Sequence, residues 1–322
     1  MTGEELNPFS AVTARSPYPY YVQLAREKPN YDDKTIGMRV LSSAREVEAA
    51  FMNQALRVRP PSEPVPTAIV GTPIGDLFAT LTRMTDGEHH DQTKAQIVEQ
   101  SGGWNECATA SAAKESARMW AATLKRDDDD FLESYMYGVA PLTMAALLGL
   151  EPAPRMVALT ADFARALAAG ATKDDIARGS VAAQMFPREM PLLFQSYDAC
   201  AALIGNTLLH VARGSHGLAL NNLVEHVVRY DPPVQNTRRY SRDGATLLVL
   251  AAANRDPENS GQIFTFGLGS HGCPAMILAV GVAVAAVEHL FALGLDPAWI
   301  EHDGYVKSPN CRIPQLRVRW ER

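Results

Sequence analysis

The stretch of this sequence most able to do chemistry is Phe264 to Ala279, FTFGLGSHGCPAMILA. Phe266 supplies an aromatic ring, and Gly267 and Gly269 allow tight backbone beside a flat ligand. Cys273 follows, with Pro274 placed to suit the first turn of a helix. A long run of Ala, Val and Ile comes next. A thiol at such a helix start is favoured as its thiolate by the helix amino terminus. A thiolate pushes electron density towards a haem iron and so suits oxygen activation. His271 can reach an anionic propionate. Cys273 is therefore the expected metal ligand.

The other cysteines, Cys107, Cys200 and Cys311, stand far apart in the chain, and no pair has C-x-x-C spacing. They read as buried or half-buried free thiols in a reducing compartment. The chain has 322 residues, 47% apolar and 20% charged, which is ordinary for a globular protein. Its 30 basic and 36 acidic side chains leave a net charge of −6, so no nucleic-acid partner is expected. The start, MTGEELNPFS, lacks a basic and then apolar leader. The longest uncharged apolar stretch, Ala275 to Val287, falls short of the ~20 residues that cross a bilayer and reads as a buried helix. A cytoplasmic protein with no membrane association is the expectation.

Helical spacing of apolar residues predicts helices over 18–27, 44–53, 89–100, 108–124, 134–148, 157–168, 173–183, 190–212, 219–230 and 273–293. Strand-like runs are few: 38–42, 246–251 and 312–319. With no repeat or linker, residues 1–322 read as a single domain, mainly α with a small β part. KRDDDDF, around Asp127 to Asp130, reads as a solvated turn.

FGLGSHGCPA resembles the cysteine-ligand loop of bacterial cytochromes P450, F-x-x-G-x-H-x-C-x-G, with Ala275 in place of the last glycine. MTDGEHHDQTK is similar to that family's D-P-x-x-H-x-x-x-R element, and puts His90 and Lys94 in propionate-binding positions. APLTMAALLGLEP, LIGNTLL, VVRYDPPVQNTRRYS, AAANRDP and SPNCRIPQL resemble further segments in the family's order. Arg239 falls on its propionate arginine, and a guanidinium fork suits a carboxylate. The resemblance implies a compact P450-like fold holding haem b. The haem-binding residues it implies are His90, Lys94, Arg239, Phe266, Gly269, His271 and Ala275, with Cys273 on the iron.

Two departures stand out. The buried Glu-x-x-Arg pair reads as His226-Val-Val-Arg229, and the stretch between Pro257 and Phe264 is too short for the meander that carries the network's other arginine. Glu225, four residues before Arg229, is positioned to pair with it. The lid before the long distal helix is also short. On that helix the A-G-x-[D/E]-T proton relay becomes Gln195-Ser196-Tyr197-Asp198-Ala199-Cys200. Asp198 keeps the acid and Ala199 replaces the alcohol, so Ser196 or Tyr197 would have to assist. No arginine lies on this part of the helix to hold a substrate carboxylate. The resemblance implies a monooxygenase acting on a small organic molecule in a biosynthetic role, with electrons from a ferredoxin and ferredoxin reductase. Peroxide use, or a non-catalytic haem-binding role, is the alternative.

Overall fold

A long helix that is apolar on nearly every side has to be covered on every side. Met190–Ala212 is that helix, and the rest of the chain is arranged around it. The computed structural model of the chain describes residues 6–214 and 217–320. Its helices are α1 (Ser10–Thr13), α2 (Tyr18–Glu27), α3 (Ala44–Met52), α4 (Pro73–Thr80), α5 (Glu88–Ser101), α6 (Glu106–Ala121) and α7 (Phe131–Leu147). They continue with α8 (Pro154–Ala166), α9 (Lys173–Met185), α10 (Met190–Ala212), α11 (Leu220–Tyr230), α12 (Leu250–Arg255) and α13 (Met276–Ala292).

α10 starts with Pro191 in its first turn, where a missing N–H costs nothing, and at ~1.5 Å per residue it runs about 35 Å. It packs on α7, α8, α11 and α13. Glycines let the backbones approach at two crossings. A Cβ on Gly205 would sit 2.7 Å from Met136 Sδ of α7, and one on Gly138 would sit 2.1 Å from Trp120 Nε1 of α6.

The strands are β1 (Asn30–Asp33), β2 (Met38–Leu41), β3 (Thr237–Ser241), β4 (Gly244–Leu248), β5 (Ile300–Tyr305) and β6 (Pro314–Val318). One sheet has the order β1-β2-β4-β3, with β2 and β4 parallel and the outer pairs antiparallel. β5 and β6 pair antiparallel elsewhere. The small β part and helical majority are as the sequence implies. Sequence spacing predicts α2 and α10 to the residue. It misses α4, α12 and strands β1, β3 and β5. Each is eight residues or fewer, too short to show a period, and the 246–251 run is divided between β4 and α12.

The apolar run sits in a longer span, Gly269–Ala292, whose 24 residues, mean hydropathy 2.1, are long and apolar enough to cross a membrane by composition alone. In the fold the helical part of this span, α13, packs on α6, α10 and α11 and buries Val282, Ala283, Ala286, Val287 and Leu290, as the buried-helix reading expects.

No Glu225–Arg229 pair forms among the described residues; Glu225 is exposed and Arg229 Nη1 donates to the Gly261 carbonyl at 3.0 Å. Neutral bonds close the shortened stretch instead. Asn254 Nδ2 donates to Thr265 Oγ1 (2.9 Å), Thr265 Oγ1 to the Val228 carbonyl (2.7 Å), and Phe264 N–H to Asn254 Oδ1 (2.7 Å). The buried ion pair of the fold lies at Asp231 and Arg312. Arg312 is fully buried; its Nε donates to Asp231 Oδ1 at 2.9 Å and its Nη1 to the carbonyls of Val12 (2.7 Å) and Ala14 (2.8 Å). Tyr305 stacks on the guanidinium at 3.7 Å, and Asn206 of α10 donates to the carbonyls of both Asp231 and Arg312.

Candidate haem-thiolate site

The segment before α13 is a closed loop. Gly267 (φ +70°) and Gly269 (φ +63°) take left-handed backbone that other residues avoid. Cys273 N–H donates to the Phe266 carbonyl at 2.7 Å, and Gly267 N–H to that of Phe264 at 2.9 Å. Space is short as well as twisted: a Cβ on Gly269 would lie 3.3 Å from Met52 Sδ, and one on Gly267 would lie 3.2 Å from the His271 carbonyl. Phe266 is half-buried against the main core. Ala275 is the N-cap of α13, which begins at Met276, and its N–H is directed at the Cys273 sulfur.

Burial raises the Cys273 pKa, against smaller opposing effects of that N–H, Lys94 and Arg83. The helix start therefore does not make a free thiolate here, as the sequence suggested; desolvation outweighs it. Yet Cys273 has exposed surface. The same combination marks Arg83, in a short 3-10 helix at Thr82–Met84, and Asp198 of α10. Each has exposed surface while desolvation is the largest influence on it, lowering the Arg83 pKa and raising that of Asp198. Arg83 lies within electrostatic reach of both Asp198 and Cys273, so its turn stands close to α10 and to the cysteine loop.

A polar cluster closes one side. His90, buried on α5, has Nδ1 2.8 Å from the Thr82 carbonyl and Nε2 3.1 Å from that of Ser270. His271 lies face-near to it, ring centroids 4.0 Å apart, and pairs through Nε2 with Asp86 Oδ1 at 3.1 Å. Lys94 Nζ donates to the Gly272 carbonyl. Arg239 of β3 is buried over the Phe51 ring at 5.2 Å, and Phe51 carries the carbonyl that crowds Gly269. Its guanidinium bonds through Nη1 alone, to Thr237 Oγ1 (3.4 Å) and the Arg238 carbonyl (2.9 Å). The structure thus brings His90, Lys94, Arg239, His271 and Cys273 together from three distant segments. Backbone carbonyls engage both His90 nitrogens and one N–H of the Lys94 ammonium, while Arg239 makes its hydrogen bonds through Nη1 and keeps its other donors.

The distal residues separate. Asp198 lies within electrostatic reach of Arg83. Ser196 is buried and donates to the Leu193 carbonyl of its own helix at 2.8 Å. Tyr197 packs on Tyr137, ring centroids 4.7 Å apart, and burial pushes its hydroxyl up to about 12. Neither reaches the Arg83 side. Among the remaining thiols Cys200 and Cys311 are buried as expected, but Cys107 is exposed near the start of α6. Sequence reasoning passed over Arg83. It sits outside any motif, and only the tertiary approach of its 3-10 turn to α10 brings it near Asp198 and Cys273.

No family model matches the chain, and no curated protein matches it by sequence. Solved structures do. Cytochrome P450epoK bound to epothilone B shares 15% identity over 97% of this chain and 98% of that one, with a TM-score of 0.78. CalO2 shares 20% identity over 94% of each chain, TM-score 0.74. Cytochrome P450 CYP109Q5 from Chondromyces apiculatus shares 18% identity over 95% and 97%, TM-score 0.70. The chain has the cytochrome P450 fold. Within a P450 fold the donor set described above fits a haem. It offers a reachable sulfur that already receives a backbone N–H, glycine-tight backbone beside it, and a buried arginine with unspent donors.

Proposed function

We propose that this protein is a haem-thiolate oxidoreductase of the P450 type, acting on a small organic molecule in a biosynthetic pathway. The observation that carries the reading is the exposed thiol of Cys273, held on a glycine-tight loop at the start of α13 in a chain with the P450 fold. Cys273 would ligate the iron of haem b, with Phe266, Gly269 and Ala275 shaping the loop around it. Arg239, helped by His271, Lys94 and His90, would hold the propionates. When bound, the haem supplies the oxygen-activating chemistry, which a thiolate ligand favours.

The residues of this chain set the terms of that chemistry. Lys94 and His90 tie the cysteine loop to α5 and keep the sulfur in place. Asp198 of α10 lies within electrostatic reach of Arg83, and its pKa, raised by burial, suits it to hold and give up a proton. Ala199 offers no alcohol beside it, and Ser196 and Tyr197 are turned elsewhere, so water must complete the proton path. Electrons would come from a ferredoxin and ferredoxin reductase, or the oxidant would be peroxide. The test is oxidation of a panel of small organic molecules by the haem-loaded protein, with either a surrogate ferredoxin system or hydrogen peroxide. Products one oxygen atom heavier, absent with Cys273→Ala, support the reading. A stably haem-loaded protein that oxidises nothing favours the second reading, a non-catalytic haem-binding role, to which the missing relay alcohol points.

A further inference from the structure

A regular strand sends residues three apart to opposite faces, yet His302 and Tyr305 of β5 share one. The register of β5 on β6 slips by one residue between His302 and Gly304, which leaves Asp303 as the extra residue of a bulge. Gly304 takes the positive φ of +134° that this bend requires. The bulge brings the two rings edge to face, centroids 4.8 Å apart. Both line a cavity of about 290 Å³, together with Thr13, Arg15, Asp303 and Gly304. That volume lies near the low end for ligand sites, roughly 300–1,000 Å³.

Two arginines from distant segments meet there. Arg15 comes from the link between α1 and α2 and lines the cavity. Arg213, the C-cap of α10, stands within electrostatic reach of both His302 and Tyr305. Neither arginine, nor His302, takes part in an ion pair among the described residues. The carboxylates close by are already matched. Asp303 accepts from Arg317 Nη2 at 2.9 Å, Glu301 pairs with Arg319 at 3.0 Å, and Asp231 is bonded to Arg312. Polar atoms are left over as well: His302 Nε2 and Tyr305 Oη are buried without a hydrogen-bond partner. Arg213 stands near the tyrosine hydroxyl but short of bonding geometry, and at 9% exposure Tyr305 has little access to solvent instead. Gathered cations without a counter-charge, and buried polar atoms without partners, are both unfavourable until a ligand meets them.

We propose that this cavity binds a phosphoryl group, with Arg15 and Arg213 as its counter-charges and His302 and Tyr305 as further hydrogen-bond donors. Charge decides between the oxyanions. Two guanidinium groups that no carboxylate balances match a dianion, whereas a carboxylate would leave one of them unmet. Shape agrees, because donors converging from separate segments suit the several oxygens of a tetrahedral group better than one edge of a planar one. The phosphoryl group is either free phosphate or the end of a small ester. None of the lining residues belongs to the cluster around Cys273, so the site is independent of the oxidoreductase reading.

Isothermal titration calorimetry of the full chain at constant ionic strength, with inorganic phosphate, methyl phosphate and acetate, tests this. Phosphate should bind at least about tenfold more tightly than acetate, the size of one further charge-assisted hydrogen bond. Arg15→Gln and Arg213→Gln should each weaken phosphate binding about tenfold. Both arginines are exposed, as is Arg155 of α8, and Arg155→Gln should leave binding unchanged. Methyl phosphate bound as tightly as phosphate supports the site with the end of an ester as ligand, and its exclusion supports the site with the free ion. No binding of phosphate by the wild-type protein, or acetate bound as tightly, overturns the proposal and needs no variant. So does phosphate binding that survives both substitutions, or that falls equally with Arg155→Gln.

Discussion

Replacing Arg312 by Met should come close to unfolding the protein. Arg312 is the largest fully buried side chain, and its removal strands Asp231, which is itself fully buried. Leaving one partner of a buried ion pair alone costs about 3–5 kcal/mol. The carbonyls of Val12 and Ala14 lose their guanidinium donor as well, and an unsatisfied buried acceptor costs about 1–3 kcal/mol. Part of this overlaps, because Asn206 still bonds the Asp231 backbone and water can reach Ala14. A net loss of about 5 kcal/mol remains, against a typical total stability of about 5–15 kcal/mol. Urea denaturation followed by circular dichroism reads it directly. The double variant Arg312→Met/Asp231→Leu should recover part of the loss, because no charge is then left unpaired. A single variant that loses less than about 1 kcal/mol, or a double variant less stable than the single one, would refute the argument that this pair ties the amino-terminal segment to α10 and the end of α11.

Acid should act on the same pair. Asp231 is held below its ordinary pKa by His210 and Arg312 against the opposing effect of burial, so its contribution is complete above the unfolded value of about 3.9 and fades as pH falls below it. Thermal stability measured from pH 6 to pH 3 should drop most steeply below about pH 4, and the drop should flatten in the Arg312→Met/Asp231→Leu protein. Arg239→Leu should weaken haem retention, since each charge-assisted bond to a propionate is worth about 1.5–3 kcal/mol; transfer of haem to a competing acceptor protein measures it, and an unchanged rate counts against the placement. Asp198→Asn should lower turnover of an identified substrate by about 10²–10⁴-fold, the usual size of general acid catalysis. Ala199→Thr should not lower coupling of oxidant to product, and no effect of either change would remove Asp198 from the proton path.

The glycine-tight cysteine loop was legible in the sequence because its signals are local. Glycines that must twist, a cysteine and a helix start lie within ten residues, and no distant contact is needed to see them. Long helices were legible for a local reason too, α10 above all, because a largely apolar run of 23 residues is far too long for a strand. What escaped was set by tertiary approach. Arg83 gains its neighbours only from the closeness of its turn to Phe194 of α10. The Asp231–Arg312 pair joins residues 81 apart in sequence, so spacing drew attention to Arg229 and Glu225 instead. Ser196 and Tyr197 are neighbours of Asp198 in sequence, but a helix turns about 100° per residue and points the three in different directions. That His90, Lys94, Arg239 and His271 gather beside the cysteine loop, with carbonyls already engaging His90 and Lys94, could only be seen in the folded chain.

The most direct test of the account is the carbon monoxide difference spectrum of the reduced, haem-loaded protein, compared with that of Cys273→Ala. The account predicts the strongly red-shifted Soret band of a thiolate-ligated carbonyl complex in the wild-type protein and its complete loss in the variant, with Cys200→Ala and Cys311→Ala unchanged. A wild-type spectrum of the imidazole-ligated kind, or a thiolate band that survives Cys273→Ala, would contradict it.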